Sequence, residues 1–327
     1  MSDSANIMQI AVLEAPKRFR IEERPVPEIG PNEVLVRVAA CGVCSSDLHL
    51  WEVGGPKLPR ALGHEVSGVV SRVGSAVGGF SLGDRVAIWA TGQGYAAYVA
   101  VKAAYCFPAD DMPLDLALAE PLACAVNAVE LADVSLGDDV VIIGAGFMGN
   151  LVQKLVATRG PRHVIVADTR DDALERAAGL GATRVVNPDK ESLSAVVKEL
   201  TGGRGADVTF EVTGAQAALL AAGDVTRMSG TIAIVGYHQG EQRTIPLGQW
   251  NWMAFKIANA HFREVSTIMR GMEIGMRLLT SGRLCLDDIV THRFPLAEID
   301  KAFETAVAKP PGFAKATVIV DQNAFHT

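Results

Sequence analysis

Cysteine is scarce in this chain. Five residues (Cys41, Cys44, Cys106, Cys124 and Cys285) in 327 are too few for a disulfide framework at this length, so thiols are expected, some of them available to a metal. Basic clusters are missing too. The formal net charge is −7, and without a Lys/Arg-rich face nothing neutralises a phosphate backbone, which excludes a general nucleic-acid binder. No apolar run approaches the roughly 20 residues that span a bilayer. Residues 1–10 hold no basic stretch followed by an apolar core, so no membrane association and a cytoplasmic location are expected. Charged residues are 20% and hydrophobic ones 49%, which excludes a disordered chain and leaves material for full cores. The length predicts two domains.

The first third reads as short strands with turn punctuation: 7–13, 33–40, a glycine-rich run over 66–83, 85–90 and 95–101. That spacing predicts an antiparallel, barrel-like unit. From Val140 the rhythm changes to strands at 140–143, 163–167, 183–186, 206–212 and 230–236, alternating with helical stretches at 147–159, 171–179, 191–200 and 215–228. Alternation of this kind predicts a parallel sheet with helices on both faces, hence an α/β fold. A helix between Glu120 and Asp133 is expected to join the two parts. Beyond a strand near 255–260, a helix over 264–279, a strand over 288–294, a helix over 296–307 and a last strand over 315–320 are expected.

The run Val140-Val-Ile-Ile143 breaks into Gly144-Ala-Gly146-Phe-Met-Gly149 and then a helical pattern. In this context the glycines have distinct tasks: Gly144 makes the turn, Gly146 admits a pyrophosphate to the backbone, and Gly149 lets helix pack on strand. The phosphates would rest on the helix N-terminus. Asp168 closes the next strand about 20 residues on, where a carboxylate binds the ribose hydroxyls and repels a 2′-phosphate. NAD is favoured over NADP, although Arg170 could cradle that phosphate; Asp171 and Asp172 oppose it. Phe147, Met148, Thr169, Val235 and Gly236 complete the expected cofactor-binding set.

Gly42-Val-Cys44-Ser-Ser46-Asp47-Leu-His49, Gly63-His64-Glu65, Gly83-Asp84-Arg85-Val86, Glu120-Pro121-Leu122, the glycine motif and Thr291-His-Arg-Phe-Pro-Leu together resemble the zinc-dependent medium-chain dehydrogenase/reductase superfamily. The polyol (sorbitol-like) and threonine dehydrogenase branch is the nearest in pattern. The resemblance implies a GroES-like β-barrel-type catalytic domain, 1–121 with 263–327, and a Rossmann doubly wound NAD-binding domain, 122–262. It also implies a homodimer or homotetramer paired through the edge of the Rossmann sheet.

A catalytic zinc keeps three protein ligands and one open position. Cys44 and His64 match family ligands directly, and Glu120 stands where the polyol branch carries Glu. Pro121 biases Glu120 away from helical geometry, just ahead of a helix. Glu65 is a direct or exchangeable ligand in the family. In an extended segment, however, neighbouring side chains face opposite ways, so His64 and Glu65 reach one ion only if the backbone is irregular. Asp47 is expected to hold the free imidazole nitrogen of His64. Cys41 forms a CxxC with Cys44 but lacks two further ligands, and reads as a buried thiol. The family's four-cysteine structural lobe is absent between Trp89 and Tyr95, so one zinc per chain is expected.

The resemblance further implies hydride transfer from a secondary alcohol (a polyol, cyclitol, sugar derivative or amino alcohol) to NAD. Ser46 takes the alcohol proton and passes it through the cofactor ribose towards His49, and Glu65 joins them in the catalytic set. An alternative proton route runs through water and a glutamate. A zinc-free quinone or enoyl reductase of the same superfamily and a non-catalytic NAD-binding sensor are the competing readings; both lack a use for the ligand set. His163, His238, His261, His292, Cys106, Cys124 and Cys285 read as packed residues. Trp250 and Trp252 fit a substrate pocket, a subunit contact or a core equally well.

Overall fold

In the computed structural model, which describes residues 7–55, 57–240 and 242–325, the chain starts with β1 (Ile7–Ala15), β2 (Arg18–Pro25), β3 (Glu33–Gly42), α1 (Ser45–Val53), β4 (Arg60–Ala61), β5 (Glu65–Val73), β6 (Arg85–Trp89), β7 (Tyr98–Lys102) and β8 (Cys106–Pro108). Helix α2 (Ala119–Ala132) leads into β9 (Asp139–Ile143), α3 (Phe147–Ala157), β10 (His163–Ala167), α4 (Asp171–Gly179), β11 (Arg184–Val186), α5 (Leu193–Leu200), β12 (Ala206–Glu211), α6 (Gln216–Val225), β13 (Thr226–Ile234), α7 (Leu247–Trp252) and β14 (Lys256–Asn259). Then come α8 (Val265–Thr280), β15 (His292–Pro295), α9 (Ile299–Ala308) and β16 (Ala316–Ile319). Two compact units result: Met1–Ala123 with Met272–Thr327, and Cys124–Gly271. Among the described residues no helix is long and apolar enough to cross a membrane.

In the first unit, strands β15-β16-β3-β5-β6-β8 form one sheet, with β7 also on β3, and β2-β1-β4 form another. The C-terminal strand β16 is built into this sheet antiparallel to β3, with Thr317 opposite Gly42 and Val318 opposite Cys41. On its other side β3 places Gly42 opposite Glu65 of β5. One end of β3 therefore gathers segments from both ends of the chain. Phe19, Tyr95 and Phe303 meet edge to face, the Phe19–Phe303 centroids 4.9 Å apart, a favoured aromatic geometry. Asp300 of α9 accepts from Phe19 N–H at 3.0 Å and Trp51 Nε1–H at 3.2 Å, tying α9 to α1 and β2.

The second unit has the strand order β11-β10-β9-β12-β13-β14, every pairing parallel. Strand β9 is buried along its whole length, as a central strand covered by helices on both faces must be. Counted within the unit this is the doubly wound order 3-2-1-4-5-6. The order reverses between β9 and β12, and ligands of such sheets bind outside the carboxyl ends of the strands at that point. The chain is thus an α/β protein, with one unit built largely on antiparallel sheet and one doubly wound, Rossmann-type unit.

Five elements lay outside the sequence reading: β2, α1, β4, β8 and α7. Strand β2 alternates, but mostly between charged residues, and α1 has too weak an apolar stripe to announce a helix. Helix α2 begins at Ala119 and takes in Glu120, although the residue before a proline is biased away from helix. Pro121 sits in the first turn, where its missing N–H has no intrahelical partner to lose.

Candidate metal centre and dinucleotide loop

Beyond the end of β3 the chain passes through Val43 to Cys44, which caps α1 in extended conformation (φ −91°, ψ 148°). The two elements with registers set by Gly42 deliver the remaining groups. Donor atoms of Cys44, His64 and Glu65 all lie within 4.8 Å of one another. His64 stands before β5 rather than within it, and Gly63 takes φ +91°, a conformation that only glycine adopts at little cost. This kink resolves the objection from strand alternation, and adjacent side chains reach the same point. Glu120 approaches from the first turn of α2, its Oε2 4.0 Å from His64 Nε2; it flanks the trio.

Asp47, buried in α1, has its Oδ2 3.5 Å from His64 Nδ1 and accepts the Gly63 N–H at 3.1 Å. One carboxylate thus orients the ring and pins the kink that presents it. Ser46 Oγ–H donates to Cys44 Sγ at 3.3 Å, and His49 lies one turn on, half-buried. Cys41 Sγ points back to the Gly42 carbonyl at 3.7 Å; burial, with Asp47 and Glu65 nearby, pushes its thiol well up.

One participant was not anticipated. Lys315, 5% exposed, puts its Nζ 2.7 Å from Glu65 Oε1 and 2.6 Å from Oε2, and 2.9 Å from the Val43 carbonyl. A lysine directly ahead of the short strand Ala316–Ile319 was the available signal, since buried lysines are rare unless paired. Burial opposes a charged Lys315, but Glu65 and Cys44 outweigh it and raise its pKa. The same contest at His64 ends the same way: burial disfavours the cation, and Cys44 with Asp47 lifts the pKa well above 6.5. Glu120 is raised first by burial and then by Glu65 and Asp47, against His64 and Lys315.

Sulfur, imidazole nitrogen and carboxylate oxygen form the donor set of a borderline-soft ion with a coordination position to spare. The residues fit zinc.

In the second unit, the turn after β9 has Gly144 at φ +112°. A Cβ on Gly149 would lie 1.8 Å from the Gly144 carbonyl, so α3 can close on the turn only with glycine there. Gly146 is different: it is exposed, and a Cβ there would meet nothing within 4 Å. The space above the α3 N-terminus, which has no side-chain cap, is open to an anion. Phe147 is buried and Met148 half-buried. Asp168 Oδ2 accepts from Ala145 N–H at 2.7 Å and Oδ1 from Arg170 N–H at 2.9 Å, which fixes the carboxylate against the glycine loop. The Thr169 carbonyl accepts from Asn187 Nδ2 at 3.1 Å. Val235 and Gly236 N–H both donate to the Glu211 carbonyl at 2.8 Å.

Glu211 itself was missed. Fully buried at the end of β12, its Oε1 accepts from the N–H groups of Thr213 and Gly214, and its Oε2 lies 2.9 Å from His238 Nε2. It braces the two loops beside the order reversal. The open cradle over Gly146 and the carboxylate at 168 fit a dinucleotide.

Residues 30–111 match the alcohol dehydrogenase GroES-like domain and residues 148–273 the zinc-binding dehydrogenase family. Sorbitol dehydrogenase of Homo sapiens is 32% identical, over 90% of this chain and 91% of its own. Among solved structures, 2R,3R-butanediol dehydrogenase from Bacillus subtilis superposes with TM-score 0.85 at 27% identity, covering 96% of this chain and all of its own (100%). A putative zinc-binding dehydrogenase from Sinorhizobium meliloti 1021, bound to NADP, gives 0.83 at 26%, covering 96% and 99%. With a metal-type donor trio, a doubly wound dinucleotide unit and these matches along nearly its whole length, the chain belongs to the zinc-dependent medium-chain dehydrogenase superfamily, in its polyol branch, as an NAD(P)-dependent alcohol/polyol dehydrogenase.

Proposed function

We propose that this enzyme oxidises a secondary hydroxyl of a polyol, cyclitol, sugar derivative or amino alcohol, with NAD as the hydride acceptor. The observation that carries this is the convergence of Cys44, His64 and Glu65 within 4.8 Å, a trio for which a zinc-free reductase or a non-catalytic sensor has no use. Cys44, His64 and Glu65 would hold one zinc per chain, with Glu120 as an exchanging carboxylate. When bound, zinc supplies a Lewis acid that makes a substrate hydroxyl more acidic, and the dinucleotide accepts the hydride.

The remaining chemistry falls to the chain. Asp47 keeps the His64 ring in orientation, and Lys315 holds Glu65 while offsetting the negative charge of the trio. Ser46 receives the substrate proton at Oγ and hands it on towards His49, one helical turn away. A second proton path through water and a glutamate is open to Glu120, whose Oε2 lies 4.0 Å from His64 Nε2. Gly144, Gly146, Phe147, Met148, Gly149, Asp168, Thr169, Arg170, Val235 and Gly236 bind the cofactor in the second unit, while the first serves metal and substrate.

Strand β14 ends the parallel sheet, and Ile257 on it is 45% exposed, Trp252 at the end of α7 79%. An unpaired edge carrying apolar side chains supports pairing of two copies, hence a homodimer or homotetramer. Five free cysteines agree with a reducing, cytoplasmic setting.

The test is an alcohol panel with zinc-replete protein and NAD or NADP, followed by nicotinamide absorbance with and without a chelator. Chelator-sensitive reduction of NAD by at least one polyol is expected. No turnover across the panel would favour the sensor reading.

A further inference from the structure

We infer that Asp172 sets the cofactor preference of the dinucleotide site by holding the Arg170 guanidinium away from the place a 2′-phosphate would take. This deepens the proposed function and rests on its assignment of the 144–149 loop and Asp168 to the cofactor.

Arg170 is the N-cap of α4, two residues beyond Asp168, and its own N–H is bonded to Asp168 Oδ1 at 2.9 Å. Its backbone is therefore anchored to the carboxylate expected to meet the adenine ribose. A guanidinium at that distance along the chain is what a 2′-phosphate requires. Here the fork is turned onto Asp172: Nε meets Oδ1 at 3.2 Å and a terminal nitrogen meets Oδ2 at 2.5 Å. A two-pronged guanidinium–carboxylate contact is the strongest geometry for that pair. The side chains are 26% and 29% exposed, partly shielded from solvent.

The neighbouring Asp171 faces other partners. Lys190 Nζ lies 2.5 Å from its Oδ2 and Asn187 Nδ2 donates to its Oδ1 at 2.8 Å. The two acidic residues opposing Arg170 in the sequence thus have separate tasks, and Asp172 is the one that engages the guanidinium. Each oxygen of Asp168, with one backbone donor, still has capacity to accept a ribose hydroxyl. Asp168, Arg170 and Asp172 sum to one negative charge, which repels a phosphate dianion and leaves an unphosphorylated ribose undisturbed.

The experiment uses the zinc-loaded full chain and titrates NADH and NADPH by nicotinamide fluorescence. Wild type is compared with Asp172→Asn, Asp172→Ser and Asp172→Asn combined with Arg170→Ala. Releasing the guanidinium is expected to tighten NADPH about tenfold, the worth of one charge-assisted contact, with NADH affinity held within about twofold. Adding Arg170→Ala should cancel the gain. Unchanged NADPH affinity in both single variants, equal change for both nucleotides, or a gain that survives Arg170→Ala overturns the inference. Wild type that binds neither nucleotide overturns the dinucleotide assignment itself, and the inference with it.

Discussion

Lys315→Met removes a cation that lies within 2.7 Å of both oxygens of a carboxylate only 1% exposed. Methionine keeps most of the side-chain volume, so the loss is electrostatic: Glu65 stays buried without its counter-charge. Removing one partner of a buried pair costs about 3–5 kcal/mol, and at roughly 2–4 °C per kcal/mol for a unit of this size the melting temperature of metal-free protein should fall by about 10 °C. Glu65→Gln leaves the lysine stranded in the same way. The double variant strands neither group and should be less damaged than the sum of the singles by about 2 kcal/mol. Urea and thermal unfolding of chelator-treated wild type, both singles and the double give the cycle. Zinc should restore much of the Lys315→Met loss, because a second cation then faces Glu65. Additivity of the two singles to within about 0.5 kcal/mol would refute the claim that Lys315 and Glu65 act as a pair.

Ser46→Ala should lower kcat with zinc content unchanged, measured by steady-state kinetics alongside metal analysis; undiminished turnover counts against Ser46 as the first proton acceptor. Asp139, fully buried at the start of β9, faces Arg162, His163 Nδ1 at 2.9 Å and Arg204 at 3.0 Å, with Asp207 accepting its N–H at 2.8 Å. Burial opposes its charge, but Arg162 and His163 win and hold its carboxyl below the usual 3.8. A depressed folded-state pKa contributes stability that is complete above the unfolded value and fades as pH falls through the folded one. Asp139→Asn should therefore cost about 2–4 kcal/mol at pH 5–8, with the gap to wild type closing below about pH 4. Equilibrium unfolding across pH checks this, and a gap constant down to pH 2 would be inconsistent with it.

The second unit was legible because its signals are local. Strand β10 and helix α4 lie at 163–167 and 171–179 as the alternation predicts, and the glycines mark the turn into α3 within one residue. Of the trio, Cys44 and His64 were legible from their motif neighbours, whereas the sequence put Glu120 forward as third ligand and the structure groups Glu65 with them. How His64 and Glu65 share a point was not legible, because strand periodicity assumes a strand, and Gly63 at φ +91° ends it one residue early. Lys315 was out of reach for another reason. Its meeting with Glu65, 250 residues away, follows from two strand registers that share Gly42, and a register across such a span leaves no local mark. Asp172 fell between these cases: its charge was visible, but the choice between it and Asp171 as partner of Arg170 depended on where Lys190 and Asn187 sit.

The central claim, one zinc held by Cys44, His64 and a glutamate, is tested most directly by metal analysis of the purified chain and its Cys44→Ser and His64→Ala variants after equilibration with zinc and removal of excess. The account predicts one zinc per wild-type chain and near none in either variant, with the variants still binding NADH through the second unit. Two zinc ions per chain, or full zinc retention without Cys44 and His64, would contradict it.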